Sequence, residues 1–369
     1  NAGDVWRAIA SEAWRNGDPG VIFLDAINRA NPTPALGQIE ATNPCGEVPL
    51  LAFESCNLGS IDASKFAEGG DVDWEKLGSS VRTAVHFLDN AIDVNKYPAP
   101  QMAEMAKGNR KIGLGVMGFG DLLFELKTAY DSEQGVEFAE RLMAFVSGEA
   151  DKASEELAGK RGAFPNWEKS VFKPQVRRLR NAARTCIAPT GTIGMIADCS
   201  PGIEPVFALS FAKNVLEGQR LLYVNKRFEE AAKKEGFYAD ALMRRVAEEG
   251  GVRGIEGVLD WARKVFVVSH EISPEWHVRM QAAFQKHADL AVSKTVNFPA
   301  SATAKDVEEA FMLAWKLGCK GITAYRYGSR EPQVLAFTGE KGRVRVASDS
   351  FAVKEKTEAC PECRSPLSF

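Results

Sequence analysis

Asn43, Cys45 and Glu47 stand at alternate positions in NPCGEVPL, so an extended loop would project an amide, a thiol and a carboxylate to one side. Together they offer a hydrogen-bonding group, a reactive sulfur and a proton acceptor to one ligand. Pro44 restricts the backbone and Gly46 permits a sharp bend, which would let the loop tip enter a confined space. Further on, Cys56 stands in ESCNLGS. Taken singly, either cysteine also reads as a small buried hydrophobe. Seven cysteines, an odd number in 369 residues, argue against a disulfide framework and for thiols that pack, ligate metal or react.

Three other stretches carry candidate chemistry. RTCIAPTGTIG reads as a short strand and a turn opening into a new element. Backbone N–H groups there, with the Thr190 and Thr192 hydroxyls and Gly191, could hold a phosphate without a basic side chain; an ordinary strand-to-loop turn is the alternative. GLGVMG (113–118) formally satisfies the dinucleotide fingerprint of an NAD-dependent dehydrogenase. However, KGNRKI precedes it in place of an apolar strand, no βαβ unit is expected around it, and its glycines are expected to serve close packing. Cys360 and Cys363 form CPEC, half of a zinc site or a redox dithiol. The four histidines, His86, His270, His277 and His287, lack metal-binding spacing and read as helix-surface or packing residues.

The elements that must position these residues alternate in type. Residues 4–16 read as a helix with Asp4 as cap and Gly17 beyond its end; 26–46 is irregular. Leu77, Val81, Val85, Leu88 and Ile92 form one stripe of a helix over 73–93, and another helix spans 133–158. Ser273 opens a helix to about Leu290, SKTVNF is strand-like, 303–317 is a helix capped by Thr303 with Asp306, and KGITAY is strand-like. Alternation of this kind implies an α/β fold with parallel strands. The composition, 45% hydrophobic and 26% charged with net charge −3, suits a cytoplasmic protein with no nucleic-acid or membrane partner. No apolar run approaches the ~20 residues of a membrane span, and NAGDVWRAIA does not resemble a signal peptide.

NPCGEVPL followed by ESCNLGSI resembles the finger loop of ribonucleotide reductases, with wording similar to the adenosylcobalamin-dependent class II enzymes. NRKIGLGVMGFGDLL, APTGTIGMIADCSPGIEPVF, ISPEWHVRMQAAFQKHADLAVSKTVNFP and LGCKGITAYRYGSR extend the resemblance to about Leu335. It implies the C-terminal portion of a ten-stranded α/β barrel over residues 1–335, with the Cys45 loop at its centre. Residues 336–357 read as a linker, and 358–369 as the start of a truncated zinc-ribbon-like module in which Cys360 and Cys363 would ligate zinc.

The resemblance also implies an activity, the reduction of ribonucleotides to 2′-deoxyribonucleotides for DNA synthesis. Cys45 matches the thiol that becomes a radical and removes the 3′ hydrogen. Glu47 matches the carboxylate that takes the 3′-hydroxyl proton, and Asn43 the amide that bonds the sugar. Pro44 and Gly46 complete the substrate-facing tip, and Pro189, Thr190, Gly191, Thr192 and Ile193 match the residues that hold the diphosphate. Cys56 matches one of two thiols that end as a disulfide; its partner lies upstream in the family, and Cys186, Cys199 and Cys319, candidates for it on residue type alone, are expected in the core. Class I large subunits carry adjacent tyrosines that receive a radical from a small subunit, whereas Arg326 separates Tyr325 from Tyr327 here. Adenosylcobalamin is therefore the expected radical source, and a class I subunit the alternative. The implied partners are a ribonucleotide, a thioredoxin-like dithiol reductant and a second copy in a homodimer. An N-terminal partner chain is implied if the chain is half of a split enzyme, and no activity if it is an isolated fragment.

Overall fold

Asn1 caps α1 (Ala2–Asn16): its side chain accepts the Asp4 amide at 3.1 Å while Asp4 reaches back to the Asn1 backbone. Asp4 is thus the third residue of a capping box and not the cap, because Asn1 supplies the side-chain oxygen one turn earlier. Gly17 ends the helix in the left-handed region, φ 83°, as expected.

The computed structural model describes residues 1–214 and 220–330. After β1 (Val21–Ile22) and α2 (Leu24–Arg29), β2 (Ala41–Thr42) and β3 (Pro49–Leu50) pair as a hairpin. β4 (Asn57–Asp62), a second hairpin of β5 (Ala67–Glu68) and β6 (Asp71–Val72), and the helices α3 (Trp74–Val94) and α4 (Pro100–Asn109) follow. Asp73 caps α3, whose stripe of Leu77, Val81, Val85, Leu88 and Ile92 is buried as the periodicity predicts. β7 (Ile112–Met117), α5 (Phe119–Glu125), α6 (Glu133–Arg161) and α7 (Gly191–Ala197) come next. The segment of β8 (Ser210–Asn214), β9 (Arg220–Val224), α8 (Lys226–Lys234), α9 (Asp240–Glu249) and α10 (Asp260–Val265) builds a core of its own around Phe228, Val246, Ile255 and Phe266. The chain then forms α11 (Pro274–Gln285), β10 (Thr295–Phe298), α12 (Ala304–Lys316) and β11 (Gly321–Arg326).

Among the described residues the main sheet runs β4, β7, an extended segment through Thr185 and Ile187, the segment from Val292 into β10, and β11. Each neighbouring pair is parallel. β1 adds to β11 antiparallel. Helices occupy each crossover, as parallel strands demand. α11 stops at Gln285, short of the expected Leu290, because Leu290 and Ala291 are taken by the sheet: Leu290 donates to the Thr185 carbonyl and Ala291 accepts from Ile187.

Gly113 and Gly115 of the glycine motif fall inside β7, and Gly118 follows its end. A βαβ unit, β4 through α3 and α4 to β7, does lead into it, contrary to expectation. Its first two glycines nevertheless lie within the strand, where they form no turn to cradle a pyrophosphate, and only Gly118 stands in the turn, as the N-cap of α5 at φ 71°. Ile112, Leu114 and Val116 pack with α3 and α6 on one side. On the other side a Cβ at Gly113 would stand 2.6 Å from Cys186 Sγ and 3.3 Å from Cys56 Sγ, and one at Gly115 would overlap the Cys186 carbonyl oxygen. Close packing accounts for these glycines, and the dehydrogenase reading loses its basis. Residues 336–369, with Cys360 and Cys363, lie outside the described residues.

Candidate active site

Pairing of Thr42 with Pro49 makes residues 43–48 the tip of the β2–β3 hairpin. Asn43 Oδ1 accepts the Val48 N–H at 3.0 Å, and the Gly46 N–H donates to the Asn43 carbonyl at 3.0 Å. Gly46 adopts φ 81°, the left-handed value that the bend requires. The tip is therefore a turn, and the extended alternation expected from the sequence is broken before Glu47. As a result the three polar residues have different surroundings: Cys45 is exposed, Asn43 half-buried and Glu47 only 2% exposed.

The Glu47 carbonyl accepts the Ala291 N–H at 2.9 Å, fastening the tip to the sheet. Its carboxylate Oε2 is buried and has no hydrogen-bond partner among the described residues. An oxygen in that position is costly until a ligand donates to it. Burial, and then the Glu47 charge, push the Cys45 thiol above its ordinary range. Pro44, Cys45 and Gly46 line a cavity of ≈160 Å³ with Ser293, Lys294 and Thr323. Ser293 donates to the Ile187 carbonyl at 2.9 Å, so this cavity adjoins the segment that leads to Pro189.

Cys56 lies behind the hairpin beside a buried ion pair. Lys111 Nζ meets Glu54 Oε2 at 2.7 Å, each side chain 1% exposed, and Glu54 also accepts from the Leu51 amide and the Asn109 side chain. Burial pushes the Cys56 thiol up to about 12; Lys111 opposes this, while Glu54 and Glu47 add to it. Cys186 and Cys319 are core residues as expected, whereas Cys199 is only partly buried.

The threonine turn opens into α7, as the sequence suggested. Thr190 sits in the left-handed region at φ 53°, and its hydroxyl oxygen accepts the Gly202 N–H at 2.6 Å, so part of its capacity closes the turn itself. Gly191, Thr192 and Ile193 are exposed in the first turn of the helix, where N–H groups have no intrahelical acceptor.

Sequence reasoning missed a second polar cluster. Lys294, Glu204 and His277 meet between the threonine turn and the Cys45 cavity. His277 had been read as packing, which it is, but its ring also accepts from Lys294. The only signal was a lysine immediately before the strand β10. Glu204 also lines a cavity of ≈450 Å³ with Phe207, Asn297, Tyr325 and Asp18, which shares Thr323 with the Cys45 cavity. Among the described residues, no group of three or more His, Cys, Asp or Glu could hold a metal ion, and no helix is long and apolar enough to cross a membrane.

The fold is that of a ribonucleotide reductase barrel domain. The family described as ribonucleotide reductase, barrel domain, matches residues 1–178 and 171–325, and the chain belongs to it. It is 49% identical over 335 residues to the vitamin B12-dependent ribonucleoside-diphosphate reductase of Thermoplasma acidophilum, covering 90% of this chain and 44% of that protein. A protein with the same description from Mycobacterium tuberculosis is 50% identical over 351 residues, covering 95% of this chain and 49% of its own length. The chain thus spans about half the length of the curated relatives it matches. In fold it is similar to the class Id ribonucleotide reductase alpha subunit of Actinobacillus ureae, with TM-score 0.73 and 24% identity over 88% of this chain and 61% of that one.

Proposed function

We propose that this chain carries the radical cysteine of an adenosylcobalamin-dependent enzyme that reduces ribonucleoside diphosphates to 2′-deoxyribonucleotides. The observation that carries this reading is the buried, unpartnered Glu47 Oε2 beside Cys45 at the hairpin tip. A sugar hydroxyl would satisfy that oxygen and give up its proton to it. Cys45 as a thiyl radical takes the 3′ hydrogen, the S–H bond being weak enough to return it afterwards. Asn43, its oxygen held by Val48, keeps its NH2 group to donate to the sugar. Pro44 and Gly46 shape the tip, and Pro189 to Ile193 hold the diphosphate.

Loss of the 2′-hydroxyl as water consumes two electrons and two protons, which two thiols supply as they become a disulfide. Cys56 is one of them, and its high pKa keeps it protonated at neutral pH. The other lies in the preceding part of the protein, and an external thioredoxin-like dithiol resets the pair. The whole enzyme works as a homodimer. The cavity lined by Phe207, Asn297, Tyr325 and Asp18, beside that of Cys45, has the aromatic and polar lining and the volume that suit the nucleoside end of the cofactor. When bound, adenosylcobalamin supplies the radical that oxidises a thiol.

The test is Cys45→Ser, assayed with adenosylcobalamin, a nucleoside diphosphate and a dithiol. Turnover should fall by at least about 1000-fold while nucleotide binding persists. Undiminished deoxynucleotide formation by that variant would end the proposal.

A further inference from the structure

Lys294 is completely buried, and each of its three N–H donors is used: Glu204 Oε2 at 2.6 Å, His277 Nδ1 at 2.9 Å and the Thr295 carbonyl at 3.0 Å. No donor is left for a ligand, so this ammonium does not act on substrate directly. Because an ammonium cannot accept, His277 Nδ1 is the acceptor and Nε2 carries the proton, which it donates to the Ser269 carbonyl at 3.1 Å. A buried ion pair adds little stability over an apolar pair of similar shape, which points to a geometric role.

The bonds around it form one continuous path. At the threonine turn, Thr190 holds the Gly202 amide. Beyond Gly202, Glu204 grips β10 with both oxygens, Oε1 accepting the Thr295 amide at 2.7 Å and Oε2 accepting Lys294. Lys294 and Ser293 in turn wall the Cys45 cavity. One end of this path would carry the phosphates of a nucleotide and the other its ribose.

We propose that Lys294 is a positioning residue which, by clamping Glu204 to β10, fixes the distance between the threonine turn and the Cys45 cavity. The inference rests on the ribonucleotide reading above. Its effect is on alignment, where a misplacement of about 1 Å costs about 100-fold in rate.

Lys294→Met alone strands the Glu204 carboxylate beside an apolar side chain, so the decisive variant is Glu204→Gln/Lys294→Met, which removes both charges together. In the enzyme supplied with adenosylcobalamin, a nucleoside diphosphate and a dithiol, kcat of the double variant should fall about 100-fold. Its affinity for inorganic pyrophosphate should stay that of wild type. Nitrogen NMR of His277 should show the Nε2–H tautomer in wild type and a displaced Nδ1 signal in the variant. A folded double variant with wild-type kcat would overturn the proposal, as would identical His277 spectra. A wild-type enzyme that reduces no nucleotide would sink the ribonucleotide reading instead, leaving the NMR comparison to judge the clamp.

Discussion

The Glu47 carbonyl and the Ala291 amide are hydrogen-bonded at 2.9 Å, so the hairpin tip is fastened through main-chain atoms to the strand segment beneath it. The fastening leaves both side chains unencumbered: Cys45 is exposed, and the Glu47 carboxylate keeps an oxygen without a partner among the described residues. A tip held by its backbone can keep its geometry when either side chain is replaced.

Alkylation should follow that exposure. Iodoacetamide at pH 8 is expected to label Cys45 ahead of Cys56, read by peptide mass spectrometry. The Cys45 rate should keep climbing as pH rises beyond 9, because its raised pKa keeps thiolate scarce at lower pH. Faster labelling of Cys56 would contradict the arrangement of the tip.

Cys56→Ser separates the two halves of the proposed reaction. Exchange of a 3′-tritium from the nucleotide should persist, since Cys45 and Glu47 are untouched, while deoxynucleotide formation should collapse from the first turnover, because one of the two thiols that supply the electrons is gone. Sustained multiple turnover would remove Cys56 from the reductant pair.

Lys111→Met should cost about 3–5 kcal/mol in urea unfolding, because it leaves the Glu54 carboxylate charged and buried without its cation. The loss should reach the hairpin as well, since Glu54 also holds the Leu51 amide at 2.6 Å. A change below about 1 kcal/mol would show that water reaches the pair.

Lys320 gives a pH signature. Burial lowers its pKa from 10.5 to about 8, with Asp289 opposing and Lys111 reinforcing the shift. Between those values the unfolded chain binds more protons than the folded one, so this group makes stability rise with pH from about 8 to 10.5. Lys320→Met should lack that rise, seen as a difference in the pH slopes of the two unfolding free energies. Parallel slopes would refute it.

The chain's architecture was legible where periodicity and caps agree: the α3 stripe and the Thr303–Asp306 box of α12 lie where their residues predict. Ends set by tertiary pairing were not, as α11 shows by giving up Leu290 and Ala291 to the sheet. The candidate site residues stood out by type and spacing, but their orientation did not, because the turn Asn43–Gly46 gives Cys45 and Glu47 different surroundings. Glu204 escaped notice, and His277 was legible only as a packing residue, since each meets Lys294 across intervening elements of the chain.

On the hairpin side, the wall of β7 at Gly113 and Gly115 consists of bare main chain. A side chain there would have to displace Cys186, Leu58 or Cys56, so the approach of β7 to these neighbours already stands at its closest. At these two positions drift has nowhere to go.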